Sequence, residues 1–172
     1  MILNILEITI PALLVMITAI YMMNRQSKKD HQLKLTELAV SNNKTITPLR
    51  LQAYERIVIF LERITPNSII FRLQTPKMTS QQMQKEMLEL IRAEYEHNLS
   101  QQIYLSPQAW ESVKQAKELT IKIINEAADN VKPDAPAMEL SREIFDKLVE
   151  HDKAPTHQAI DILKEELSRF FS

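Results

Sequence analysis

Glu94 and His97 form a Glu-x-x-His pair, a candidate for metal chemistry. Three positions apart on a helix they share a face, the spacing by which a helix offers two ligands to a carboxylate-bridged di-iron site. Such a site needs a second Glu-x-x-His and two further inward glutamates, and no second copy occurs among the other glutamates. The ordinary reading of the pair is a solvated helix face. His151, Asp152, His157 and Asp161 gather around the last connector and could pinch a divalent ion. Histidines at loops and helix ends with acidic neighbours are common without any metal. Ser/His/Asp catalysis has no support, because four dispersed histidines and many serines supply accidental triples and no oxyanion motif accompanies them. The expectation is a chain with no catalytic residue and no cofactor, the alternative being a metal-binding or enzymatic bundle that uses the His97 region or the His151/His157 region.

What is missing narrows the field further. The 172 residues include no glycine, where average usage would supply about a dozen. Phosphate-cradling loops, dinucleotide fingerprints and the nucleophile elbow need glycine for positive φ or for close backbone approach, so none is present in standard form. Without cysteine there are no disulfides, thiolate metal sites or thiol nucleophiles, which agrees with a reducing compartment. The 21 basic and 22 acidic residues leave a formal charge of −1 with no clustered basic face, so nucleic acid is not an expected partner, and no small-molecule substrate is evident.

The elements that must position these residues begin with an apolar run, MILNILEITIPALLVMITAIYMM, followed at once by NRQSKK. As a helix, Leu3 to Met23 would be roughly 31 Å long, matching a hydrocarbon core of about 30 Å. No basic n-region or small-x-small cleavage site accompanies it, so residues 1–23 are expected to stay as a single-pass anchor in the lipid bilayer. Arg25, Lys28, Lys29 and Lys34 lie on its C-terminal flank, which by the positive-inside rule puts the N-terminus outside and the body in the cytoplasm of an inner (cell) membrane. Tyr21 fits the interfacial aromatic position. Glu7 is close enough to the N-terminus to snorkel, with pairing to a partner helix as the other reading, and Pro11 suggests a kink. Asn43-Lys44-Thr45 and Asn98-Leu99-Ser100 match the glycosylation pattern, which a cytoplasmic location leaves idle.

Residues 24–45 read as a polar stalk and linker, and residues 46–172 as one helical domain. Thr47-Pro48, Thr65-Pro66 and Ser106-Pro107 each pair a capping hydroxyl with a first-turn proline, the signature of a helix start. Leu49, Ala53, Ile57, Phe60, Leu61 and Ile64 then predict a deeply buried helix over 48–64. The run 67–73 is open between a short strand and two helical turns. Thr79 with Gln82 makes a capping box for a long helix from about 80 to 103, carrying Met83, Met87, Ile91, Tyr95 and Leu99. A further helix from Pro107 bears Ala109, Val113, Ala116, Thr120, Ile123, Ala127 and Val131, and should form an antiparallel hairpin with its predecessor. After the connector 132–136, Leu140, Ile144, Phe145, Leu148 and Val149 mark a helix ending near Asp152. A last helix runs from Pro155 to the terminus with Ile160, Leu163, Leu167, Phe170 and Phe171. The fold class is all-α, a cytoplasmic multi-helix bundle behind one transmembrane helix.

Trp110 is read as a core anchor that partial exposure would turn into an interaction residue. His97, Asn98, Gln101 and Gln102 suggest a buried polar network or a partner surface. LRLQAYER at 49–56 with FLERI at 60–64, EYEHNLSQQIY at 94–104, and Ala109-Trp110 with Ala116-Lys117 resemble an uncharacterised family of single-pass, membrane-anchored helical proteins of Bacteroidota. The similarity covers essentially the whole chain, implies a bacterial inner-membrane protein and brings no catalytic residue. The expected function is a non-catalytic adaptor, scaffold or accessory subunit of a membrane complex, whose partners are proteins in or beside the bilayer, self-association included.

Overall fold

The computed structural model describes residues 16, 18, 21–23, 25, 26, 44, 46–150 and 153–171, with side-chain surroundings as far as Arg169. The chain divides into two units, Met1–Pro48 and Leu49–Ser172. In the first, every described residue is helical. Most of the predicted anchor, Glu7 and Pro11 included, lies outside the described residues, as do Lys28, Lys29 and most of the predicted stalk. Tyr21 and Arg25 are helical and exposed. Among the described residues no helix is long and apolar enough to cross a membrane.

The described residues contain helices and no strand. Residues 46–63 form α1; then come α2 (Pro66–Leu73), α3 (Ser80–Asn98), a 3-10 turn (Leu99–Ile103), α4 (Pro107–Asp129), α5 (Ala137–Glu150) and α6 (Pro155–Phe171). The open segment 67–73 is therefore helix. Thr65 and Ser106 act as predicted, each accepting a bond from the backbone N–H three residues on, with proline in the first turn. Thr47-Pro48 does not start a helix. Residues 44, 46 and 47 are already helical, so Thr47 lacks the extended backbone an N-cap requires and Pro48 sits one turn inside, where it forgoes one N–H bond. Leu49, expected in the core, is 43% exposed, and burial begins at Ala53 and Tyr54.

The long helix predicted over 80–103 ends at Asn98 and tightens into the 3-10 turn. Its start is held twice. Thr79 and Gln82 form the capping box, while the N–H groups of Ser80 and Gln81 donate to the carbonyls of Ala135 (2.8 Å) and Pro133 (3.1 Å) in the connector before α5. Donors that a helix leaves unsatisfied in its first turn are thus satisfied by a segment more than fifty residues away. The Ala137 N–H returns a bond to the Met78 carbonyl, and Ser141 meets Met83 one turn further on, so α3 and α5 run parallel.

Contacts between other helices fix their directions in the same way. Tyr95 stacks on Trp110 and Gln84 bonds Asn125 at 2.9 Å, which makes α3 and α4 antiparallel as the hairpin expectation required. Arg50 donates to the Tyr104 carbonyl, Phe60 meets Tyr95 and Arg63 meets Glu94, so α1 is antiparallel to α3. α4 touches α3, α5 and α6. The core is one cluster containing Ile57, Phe60, Leu61, Met83, Met87, Ile91, Ile124, Leu140, Ile144 and Leu163, each removed from water almost completely. Burying such a side chain is worth about 1.5–3 kcal/mol, set against the entropy of ordering it.

Candidate functional site

Glu94 sits half-buried where α1, α2 and α3 meet, with Arg63 at 3.3 Å and Arg72 at 3.5 Å. Its carboxylate therefore serves two guanidinium groups, and His97, one turn on, is exposed. His157 is exposed, and Asp161 is paired with Lys153, whose ammonium holds the Asp161 carboxyl below its usual range. His151 and Asp152 lie outside the described residues. Among the described residues no group of three His, Asp or Glu side chains converges as a metal would need.

The polar run after α3 divides. Asn98 and Gln101 are buried, and their amides bond locally, Asn98 to the Glu94 carbonyl at 2.8 Å and Gln101 to the Ser100 hydroxyl at 3.2 Å. Gln102 is exposed like His97. Trp110 is half-buried. One of its faces stacks on Tyr95 at 5.7 Å and 21°, and the Lys117 ammonium sits 4.1 Å from the centre of the Tyr95 ring.

The most connected polar constellation was not foreseen. Tyr54 on α1, Ser106 before α4 and Glu166 on α6 converge, with the Tyr54 hydroxyl donating to one oxygen of the Glu166 carboxylate and the Ser106 hydroxyl to the other at 2.7 Å. Burial first, and then the Glu166 carboxylate, push the Tyr54 phenol up to about 12, while nearby Arg50 works against the shift. A cleft of about 250 Å³ adjoins the cluster, lined by Ser106, Gln108, Ile162, Glu165, Glu166 and Arg169.

Each member of the cluster holds a structural bond. Glu166 already accepts from two hydroxyls, Tyr54 stays protonated, and the Ser106 oxygen also accepts the Ala109 N–H as the helix cap at 3.0 Å. The Ser106 hydroxyl shares the Glu166 carboxylate with Tyr54 and also caps α4, so the cluster ties three helices together. Its members are separated by 112 and 60 positions, and the only local signal is Ser106-Pro107.

A second feature lies on α5. Leu140, Ser141 and Ile144 face the core, yet Met138 (64%), Phe145 (41%) and Val149 (85%) are exposed on one stripe, with Arg142 among them. Phe145 and Val149 are among the apolar positions that mark this helix in the sequence. Gln74, one turn beyond Phe71 on α2, contacts the Met138 sulfur, and Phe71 is 91% exposed. Scattered apolar residues on a surface need no explanation, but a stripe of large ones along one helix does.

The chain belongs to a family of unknown function, DUF7935, which it matches over residues 1–170. No curated protein and no solved structure matches it.

Proposed function

We propose that this member of the family is a non-catalytic, membrane-anchored helical scaffold, whose N-terminal apolar run holds the bundle at the inner face of a bacterial membrane and whose surface recruits protein. The observation that carries this reading is the exposed stripe Met138, Phe145 and Val149 on a helix whose opposite face is fully packed. Large apolar side chains aligned along one helix face and left largely in water have the character of a contact surface. The Tyr54, Ser106 and Glu166 tie, and the two arginines engaged by Glu94, agree with a bundle in which charged and polar groups serve architecture. For the anchor, the support is the length and apolarity of residues 1–23 and the basic flank that follows.

The test has two arms on the full-length chain. Washing native membranes with alkaline carbonate should leave it in the pellet, and recovery in the supernatant overturns the anchor. Affinity isolation after mild detergent extraction should recover the chain with protein bound to it, and that protein should be lost when Phe145 and Val149 are both changed to serine. Recovery of the wild-type chain alone, as a monomer, overturns the scaffold.

A further inference from the structure

The α5 stripe is also spaced for a particular occupant. Met138, Arg142, Phe145 and Val149 follow one another at intervals of four, three and four, which is the seam of a two-helix coiled coil. We propose that the partner at this face is a second copy of the same chain, its α5 antiparallel to the first about a twofold axis between positions 143 and 144. This rests on the reading of the α5 face as a contact surface and names what it contacts.

In that register the seam is self-complementary. Met138 lies against Val149 of the partner subunit, apolar on apolar, at both ends. Arg142 lies against Phe145 of the partner subunit, where the guanidinium can rest on the ring. Charge points the same way. Arg142 and Asp146 are both exposed and four residues apart, yet among the described residues neither has an ion-pair partner. The order of the two, cation before anion, is the poorer one for pairing within a helix. Across the antiparallel axis, Arg142 comes within one residue of the level of Asp146 of the partner subunit, and the pair forms twice. A parallel pairing would instead set Arg142 against Arg142 of the partner subunit. Glu139, one heptad before Asp146, shares its position beside the seam, and Arg142 is within reach of both carboxylates; two-dimensional confinement by the anchors raises the effective concentration, so a short seam suffices.

Absence of cysteine makes the register directly testable. Eleven residues of helix separate positions 138 and 149 by roughly 16 Å, beyond the span of about 7 Å that a disulfide tolerates, so Cys at both cannot close within one chain. The full-length chain in native membranes is oxidised with copper phenanthroline. Met138→Cys mixed with Val149→Cys should give a covalent dimer, as should the double variant, whereas either single variant alone should not. Adding Arg142→Asp should lower the dimer yield several-fold, and adding Asp146→Arg to that chain should restore it. No dimer from the mixture, or equal yield from Met138→Cys alone, overturns the antiparallel pair. Should the mixture stay monomeric while the wild-type chain recovers a different protein through Phe145 and Val149, self-pairing falls and the scaffold reading stands. Should both fail, both fall.

Discussion

α4 and α5 carry similar mixtures of apolar and charged residues, and the bundle treats them differently. On α4, Ala109, Val113, Ala116, Thr120, Ile123, Ile124 and Ala127 are all buried. Its outer side carries pairs such as Lys114 with Glu111 at 2.5 Å and Lys122 with Glu126 at 3.6 Å, with Leu119 as a single large apolar residue exposed among them. On α5 an apolar face packs against α3 and α4 while a second apolar stripe meets water beside Arg142 and Asp146, which have no ion-pair partner among the described residues. α4 has neighbours in three directions, α3, α5 and α6, so its stripe is covered from several sides. The lesson is that amphipathic character marks how much apolar surface a helix carries, whereas coverage depends on how many helices surround it.

The largest effects are expected in the core that both helices share. Leu140→Ala on α5 and Ile124→Ala on α4 should each cost about 2–5 kcal/mol in urea unfolding, because both side chains are wholly buried. A cost near zero for Leu140→Ala would mean that α5 is not docked as described.

Next in size is the tie that pins the start of α4. Tyr54→Phe removes a hydrogen bond to a carboxylate and should cost about 1.5–3 kcal/mol. It also predicts a pH effect of definite sign. The Tyr54 phenol is raised in the folded chain, so its contribution is complete below pH 10 and is lost as pH climbs from 10 through about 12. Alkaline unfolding curves of the wild type and of Tyr54→Phe should therefore converge over that interval. Parallel curves would count against the shift.

Ser106→Ala should cost about 0.5–2 kcal/mol, since it deletes the cap that accepts the Ala109 N–H. Thermal unfolding of this variant beside Tyr54→Phe and the double variant would measure their coupling through Glu166, where sub-additive losses are expected. Smallest of all, Phe145→Ser and Val149→Ser should each change stability by no more than about 0.5 kcal/mol while altering association. A large loss of stability would show that the stripe belongs to the fold and would end the comparison between a covered and an uncovered face.

Much of the architecture was legible from local rules. Thr65-Pro66 and Ser106-Pro107 signalled helix starts because the cap bond and the proline are satisfied within four residues, and Thr79 with Gln82 did so for the same reason. Thr47-Pro48 carries the same letters and fails, because the chain before it is already helical. A cap motif describes what a helix end can be and not whether the preceding residues stop. The segment 67–73 was ambiguous since seven residues satisfy either period, and the Thr65 cap decided it.

The candidate sites were less legible. Glu94 and His97 share a helix face, but the arginines that claim Glu94 come from α1 and α2, 31 and 22 positions away. Nothing near Tyr54 or Glu166 announces the other, because a contact over 112 residues leaves no period to read.

By itself the sequence determined the helical class, the starts of α2, α3 and α4, and the apolar stripe of each helix. Those properties follow from hydrogen bonds and side-chain spacing within a few residues, and the missing glycine removed most competing loops. The tertiary structure alone decided that the connector carbonyls satisfy the start of α3, that Tyr54 and Ser106 meet on Glu166, and that Phe145 and Val149 face water. The reason is geometric: periodicity places a residue at an angle around its own axis, and only the arrangement of neighbouring axes determines whether that angle points to protein or to solvent.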